Sequence, residues 1–257
     1  MKIFIMGAGH MGAWLVEEFC LEHEVAVYDV DPKKLKYFFN VERVLELSEV
    51  GKFGPELVIN AVSLPNIYKA FDAVLPHVPR DCILSDIASV KTGLPEYYEK
   101  SGKRFVSTHP MFGPTFANIR DLRNENAIIV KESDRDGKEF FWNFYQNLKL
   151  NIYEYTFEEH DRTIAYSLSV PFASTMVFAA CMKKQEAPGT TFRRHLEIAK
   201  GLFSEDDHLL TEIMFNPHTA RQIEEINSRL AYLTHIIRGR DYEEMQKFLN
   251  GLRNNID

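Results

Sequence analysis

Cysteine is scarce in this chain: Cys20, Cys82 and Cys181 are all there is among 257 residues. An odd number without Cys-x-x-Cys spacing argues against a disulfide framework and a cysteine-based metal site. Each lies in apolar sequence, so buried structural thiols in a reducing compartment are expected. Basic residues are also in deficit, with 30 Lys and Arg against 37 Asp and Glu and a formal net charge of −7. That balance argues against nucleic acid as a partner, although local arginines can still hold an anion. There is no internal repeat, no low-complexity segment, and no signal-peptide cleavage pattern after the opening Met1-Lys2. The most apolar stretch, 166–182, contains Ser167, Ser169, Pro171, Ser174 and Thr175 and is short for a membrane span. A helix buried on most sides is expected there, in a cytoplasmic protein without a membrane partner.

What remains is ordinary for a soluble enzyme: 45% hydrophobic and 26% charged residues, with enough length for one large or two modest domains. Short apolar strands alternate with helical stretches up to about residue 155. Strands are expected at 2–6, 24–28, 57–61, 82–86, 104–107, 127–130 and around 150–153, with helices at 11–20, 66–75 and 136–148. Such alternation makes βαβ units and a mostly parallel sheet. From Thr156 the pattern changes. Thr156-Phe157-Glu158-Glu159 is a capping box, and helical periodicity then runs to the end. Punctuation falls at Pro188-Gly189, Ser204 to Asp207, Asn216-Pro217 and Gly239. Ile223, Ile226, Leu230, Leu233 and Ile237 form a stripe that packs in a core or against a second copy. The expectation is two domains: an α/β dinucleotide-binding (Rossmann) domain over 1–155 and an all-α domain over 156–257.

The first strand runs into Gly7-Ala8-Gly9-His10-Met11-Gly12, a helix follows, and the second strand ends at Asp29, about twenty residues after Gly9. In that context Gly-x-Gly-x-x-Gly is a strong dinucleotide signal. Gly7 permits the tight turn, Gly9 lets a pyrophosphate approach, and Gly12 lets helix and strand pack closely. The free N–H groups of His10, Met11 and their neighbours at the helix N-terminus suit the phosphates. Asp29 suits ribose hydroxyls and repels a 2′-phosphate, and Asp31 adds a second acid. Lys33 and Lys34 keep NADP open. NAD is the expected cofactor.

In an open α/β sheet the site lies beyond the carboxyl ends of the strands. Ala61 and Val62 there are small enough for a flat cofactor to lie close. Another strand leads to Asp86-Ile87-Ala88-Ser89-Val90-Lys91, where Ser89 binds substrate or caps a helix and Lys91 pairs with Asp86. A further strand leads to His109-Pro110, and the proline keeps the histidine extended. His109 is the candidate general base, since imidazole titrates near neutrality. No ligand cluster for a metal is present.

The run His109-Pro110-Met111-Phe112-Gly113-Pro114 resembles the signature of prephenate dehydrogenases, the TyrA family of tyrosine synthesis. Asp86 to Lys91 and Glu158-Glu159-His160-Asp161 resemble two further family elements, and the likeness spans nearly the whole chain. It implies a Rossmann domain, a helical dimerisation domain, and a cleft between them. It also implies NAD-dependent oxidative decarboxylation of prephenate to 4-hydroxyphenylpyruvate. His109 would draw off the proton of the 4-hydroxyl, Ser89 would hold that hydroxyl or the nicotinamide edge, and His160 would bind the dianionic substrate. The resemblance departs at an expected arginine, where this chain has Gly201. Arg193 and then Lys200 are the substitutes expected to meet a carboxylate, the guanidinium with the better bidentate grip. The alternatives are arogenate as substrate, which an additional acid beside its amine would favour, and a non-catalytic NAD-sensing relative. A 3-hydroxyacid dehydrogenase would not need the His109-Pro110 loop. Tyrosine feedback is a further expectation of the resemblance.

Overall fold

The computed structural model describes residues 1–113 and 121–256, so Pro114 of the signature run lies outside the described residues. Strand β1 (Lys2–Met6) is followed by α1 (His10–Phe19), β2 (Glu24–Tyr28), α2 (Pro32–Leu35) and β3 (Glu42–Arg43). Then come α3 (Val50–Phe53), β4 (Leu57–Asn60), α4 (Ile67–Val74), β5 (Ile83–Asp86), α5 (Leu94–Ser101) and β6 (Phe105–Pro110). The sheet is completed by β7 (Asn126–Val130), α6 (Arg135–Asn147) and β8 (Asn151–Tyr155). Strand order is β3-β2-β1-β4-β5-β6-β7-β8, parallel except for the antiparallel β6–β7 pair. The first six strands have the doubly wound dinucleotide-binding order.

Strands buried on both faces read as continuous apolar runs, and Ile3, Phe4 and Ile5 are fully buried. Alternate residues feed two cores. One packs Ile3, Ile5 and Val27 under Trp14, Phe19, Phe141 and Tyr145 of α1 and α6. The other packs Phe4, Val58 and Leu84 under Phe71 of α4 and Tyr98 of α5.

From Phe157 on, the described residues form only helices: α7 (Phe157–Ser167), α8 (Ser169–Cys181), α9 (Thr190–Leu202), α10 (Asp207–Met214), α11 (Thr219–Gly239) and α12 (Tyr242–Asn254). The capping box is present: Glu159 N–H donates to Thr156 Oγ1 at 3.1 Å, and Thr156 N–H to Glu159 Oε2 at 2.8 Å. The chain is therefore α/β, a Rossmann-like sheet followed by a helical part.

The structure differs from these expectations or adds to them in several places. Strand β6 continues through Pro110, so His109 lies inside the strand rather than after it, paired in register with Ile128. Edge strand β3 is too short to leave an apolar pattern in the sequence. Helix α8 is not buried on most sides: only Ser169 and Ala173 are buried, although α8 contacts α7, α9, α10 and α11. Cys181, at its end, is exposed and Cys20 is half-buried, leaving Cys82 as the one buried thiol; all three are free. The α11 stripe is also open, with Leu230 and Ile237 exposed.

Candidate active site

The glycine loop leaves β1 with Gly7 at φ +99, donating its N–H to Tyr28 O at 2.8 Å. A Cβ on Gly7 would lie 2.7 Å from Ala61 O, and one on Gly12 would lie 1.8 Å from Gly7 O. Both glycines therefore allow strand, loop and helix to close on one another. At Gly9 a Cβ would meet nothing within 4 Å, which leaves backbone open to an incoming phosphate. Helix α1 starts at His10 with no side-chain cap and no acid in its first turn. Its free N–H groups face that space, as an anion site requires.

A cavity of about 600 Å³ runs from Gly7 and Gly9 past Asp29 to Val62, Asn66 and Lys69. Asp29 accepts hydrogen bonds from Ala8 N–H at 2.8 Å and Asp31 N–H at 2.9 Å, with Lys34 Nζ at 3.3 Å. Burial works to raise its pKa, but these donors win and hold the carboxyl below the ordinary aspartate value. Asp29 Oδ1 keeps a lone pair for a ribose hydroxyl, since Asp31 N–H is its one described donor. Lys34, one of the two side chains that kept NADP open, is engaged with Asp29. Open backbone at Gly9, an uncapped helix and an ionised acid in the wall together fit a dinucleotide.

That cavity shares Gly9, Ala61, Val62 and Ser63 with a second one of about 570 Å³ between sheet and helices. His10, Met11, Ser89, His109, Phe112 and Leu210 are among its walls. The loop after β6 is fixed from two sides. Met111 N–H donates to Asn126 O at 2.9 Å, and Phe112 stacks edge-on against Trp14 at 5.4 Å. All the expected cofactor residues line these two cavities except Gly12, which shapes the loop from behind.

His109 is nine-tenths buried, and its Nδ1 lies 2.9 Å from His160 Nε2. His160 Nδ1 in turn lies 2.9 Å from Asp161 Oδ1. His160 is fully buried behind His109 and is absent from the cleft wall. The structure thus places His160, expected at the substrate, against the base itself rather than in the cleft wall, because the first turn of α7 meets β6 there. Burial, then His160, then Lys91 push the His109 imidazolium well below the ordinary histidine value. Burial likewise lowers His160, against the pull of Asp161. Both rings are neutral near pH 7.

Sequence reasoning missed how much Lys91 and Asp161 do. Lys91 is buried and ion-paired with Asp86, as expected, and it also donates to Thr108 O at 2.8 Å, pinning the backbone beside His109. Tyr98 OH and Ala88 N–H complete the shell of Asp86 at 2.7 and 3.0 Å. Asp161 accepts from Lys91 N–H at 3.1 Å and Thr92 Oγ1 at 3.2 Å, tying the helical part to the sheet. No spacing rule joins residues seventy apart; a buried acid beside a histidine was the available signal.

The structure does not bring Arg193 or Lys200 to the cleft. Both are exposed on α9, Arg193 toward Thr190 and Lys200 paired with Glu197 one turn away. No lysine or arginine occurs among the described cleft residues, whereas Glu125 and Glu205 do.

Residues 15–145, about half of the chain, match the nucleotide-binding domain of prephenate dehydrogenases. The chain belongs to the prephenate dehydrogenase family. A curated relative from Methanocaldococcus jannaschii, a probable arogenate/prephenate dehydrogenase, is 24% identical over 231 residues, covering 82% of this chain and 51% of the relative. The T-protein of Enterobacter agglomerans is 23% identical over 156 residues, covering 56% of this chain and 40% of its own. This chain thus spans about half the length of the curated relatives it matches. Prephenate dehydrogenase from Aquifex aeolicus, solved with hydroxyphenyl propionate and NAD+, has a TM-score of 0.85 at 19% identity, covering 100% of this chain and 98% of that one. Synechocystis arogenate dehydrogenase has a TM-score of 0.77 at 19% identity, with both chains fully covered. Family members thus share this fold across both substrates.

Proposed function

We propose that the chain is an NAD-dependent dehydrogenase that oxidatively decarboxylates prephenate to 4-hydroxyphenylpyruvate. The observation that carries this reading is a neutral, buried histidine facing a cleft continuous with the dinucleotide cavity. NAD would lie with its adenosine ribose on Asp29, its pyrophosphate over Gly9 and the N-terminus of α1, and its nicotinamide against Ala61 and Val62. Bound there, it would accept the hydride that leaves C4 of the substrate. His109 takes the 4-hydroxyl proton as C4 becomes a carbonyl, and Ser89 orients that hydroxyl. The bond from C1 to its carboxylate then breaks, and the electron pair aromatises the ring. The resulting phenolate takes the proton back from His109. No proton is released overall, so the base must lend rather than discard one. Aromatisation drives the step, and the protein supplies position and a proton acceptor.

Arogenate is the second reading, and one observation favours it. Glu125 and Glu205 line the cleft, and either would complement the ammonium group that arogenate carries where prephenate has a keto oxygen. The deciding assay follows nicotinamide reduction with prephenate and with arogenate, each with NAD and NADP. Reduction of NAD by prephenate is the expected result. Turnover of arogenate alone would move the substrate assignment. Silence with both, despite NAD binding, would leave a non-catalytic NAD-binding relative.

The second half of the reading is a cytoplasmic homodimer built on the helical domain, 156–257, beside a nucleotide-binding domain over 1–155. Exposed Tyr166, Val177, Ile198 and Phe203 supply the apolar surface for it. Feedback by tyrosine, whose ring resembles the product's, is testable in the same assay as a loss of rate with added tyrosine.

A further inference from the structure

With both rings neutral, the contact from Asp161 through His160 to His109 has one self-consistent proton assignment. Asp161 Oδ1 receives Lys91 N–H, a donor that cannot be reversed, and Oδ2 receives the Thr92 hydroxyl. The carboxylate is thus an acceptor, and its partner His160 Nδ1 must carry a proton at 2.9 Å. A neutral His160 then has a lone pair on Nε2, so at 2.9 Å His109 Nδ1 must be the donor. That leaves the lone pair of His109 on Nε2, the nitrogen available to the cleft. Asn216 holds the turn in place, donating from Nδ2 to Asp161 O at 2.9 Å.

We propose that Asp161 is the positioning residue of the base: through His160 it fixes His109 as the Nδ1–H tautomer and shares the charge of the borrowed proton. The proton-lending half rests on the dehydrogenase reading above; the tautomer half does not. When Nε2 of His109 takes the substrate proton, a positive charge forms in a buried site. Lys91, from the sheet side, opposes that charge but is neutralised by Asp86. On the helical side Asp161 is the acid in contact with the relay. One proton shifting along each hydrogen bond carries the charge to Asp161, and the reverse shift returns it to the phenolate. No proton leaves and no electron moves along the relay. The base is therefore complete only when α7 is docked on the sheet.

Two measurements test this. The first is a nitrogen-15 imidazole spectrum of the intact chain near neutral pH, assigned with His109→Asn and His160→Asn. Two neutral Nδ1–H histidines are expected, the minority form in free imidazole; a protonated His109 or an Nε2–H His109 overturns the proposal. The second compares Asp161→Asn with Asp161→Ala. Lys91 N–H keeps the Asn oxygen in place, so geometry survives and only charge is lost. For Asp161→Asn, kcat should fall roughly ten- to hundredfold with KM and NAD affinity nearly unchanged, and the acid limb of kcat should move to lower pH. For Asp161→Ala the tautomer is released and the loss should approach that of a mis-set base, about 10⁴-fold. Formate should restore part of it, because Asp161 also lines an open groove of about 790 Å³. Wild-type kcat and acid limb in Asp161→Asn would overturn the charge role. If neither variant folds, the wild-type spectrum still decides the tautomer. The expected tautomers with no turnover of either substrate would sink the dehydrogenase reading and leave the tautomer lock standing.

Discussion

Burial decides the chemistry of His109 before any substrate arrives. A desolvated imidazole next to a second histidine and a buried lysine stays neutral, the state a proton acceptor needs. Replacing His109 with Asn should lower turnover by roughly two to four orders of magnitude while NAD affinity, measured by fluorescence titration, survives. Unchanged turnover would remove His109 from the mechanism. The same burial has a stability signature. His109 and His160 are depressed in the folded chain, so below about pH 6.5 the unfolded chain binds protons that the folded one refuses. Stability should therefore fall on acidification, by up to about 1.4 kcal/mol per pH unit for each ring. Urea unfolding between pH 7.5 and 5.5 would show it, and His109→Asn should flatten the slope.

At the scale of elements, the base depends on where α7 begins. Thr156 and Glu159 close the cap reciprocally, and Lys131, just past the end of β7, pairs with Glu159 at 2.8 Å. The first turn that follows carries His160 and Asp161 onto β6. Thr156→Ala should cost about 1 kcal/mol, read as a lower denaturant midpoint with an unchanged slope. A midpoint equal to wild type would mean that docking, not the cap, sets the start of the helix. On the opposite side of the cleft, Gly7 and Gly12 bring β1, its loop and α1 within contact distance. Helix, loop and strand thus place phosphate donors and base on the same edge of one sheet.

For the molecule as a whole, the helical part is short of partners. Val177 and Ile198 are each about half exposed, at 52% and 51%, and lie on helices that flank one another. An apolar helix surface that finds no core needs a second surface. Val177→Asp combined with Ile198→Asp should leave the fold intact and convert a dimer to a monomer in analytical ultracentrifugation. A monomeric wild type at micromolar concentration would overturn the homodimer.

Much of this was legible in the amino-acid order, for reasons that are local. Gly7, Gly9 and Gly12 are demanded by turn and contact geometry within a dozen residues, Asp29 by a strand end, and the Thr156 cap by hydrogen bonds spanning one helical turn. Strand alternation likewise reflects burial on both faces, so the doubly wound sheet followed by helices could be read directly. What only the tertiary structure decided depends on residues far apart in the chain. Whether α8 is covered, whether Arg193 points at a cleft or at solvent, and whether His160 meets substrate or His109 are settled by how helices dock on strands. Periodicity identifies an apolar face without naming its partner. The relay from Asp161 to His109 joins residues about fifty positions apart, held by packing of α7 on β6, and no local propensity encodes that contact.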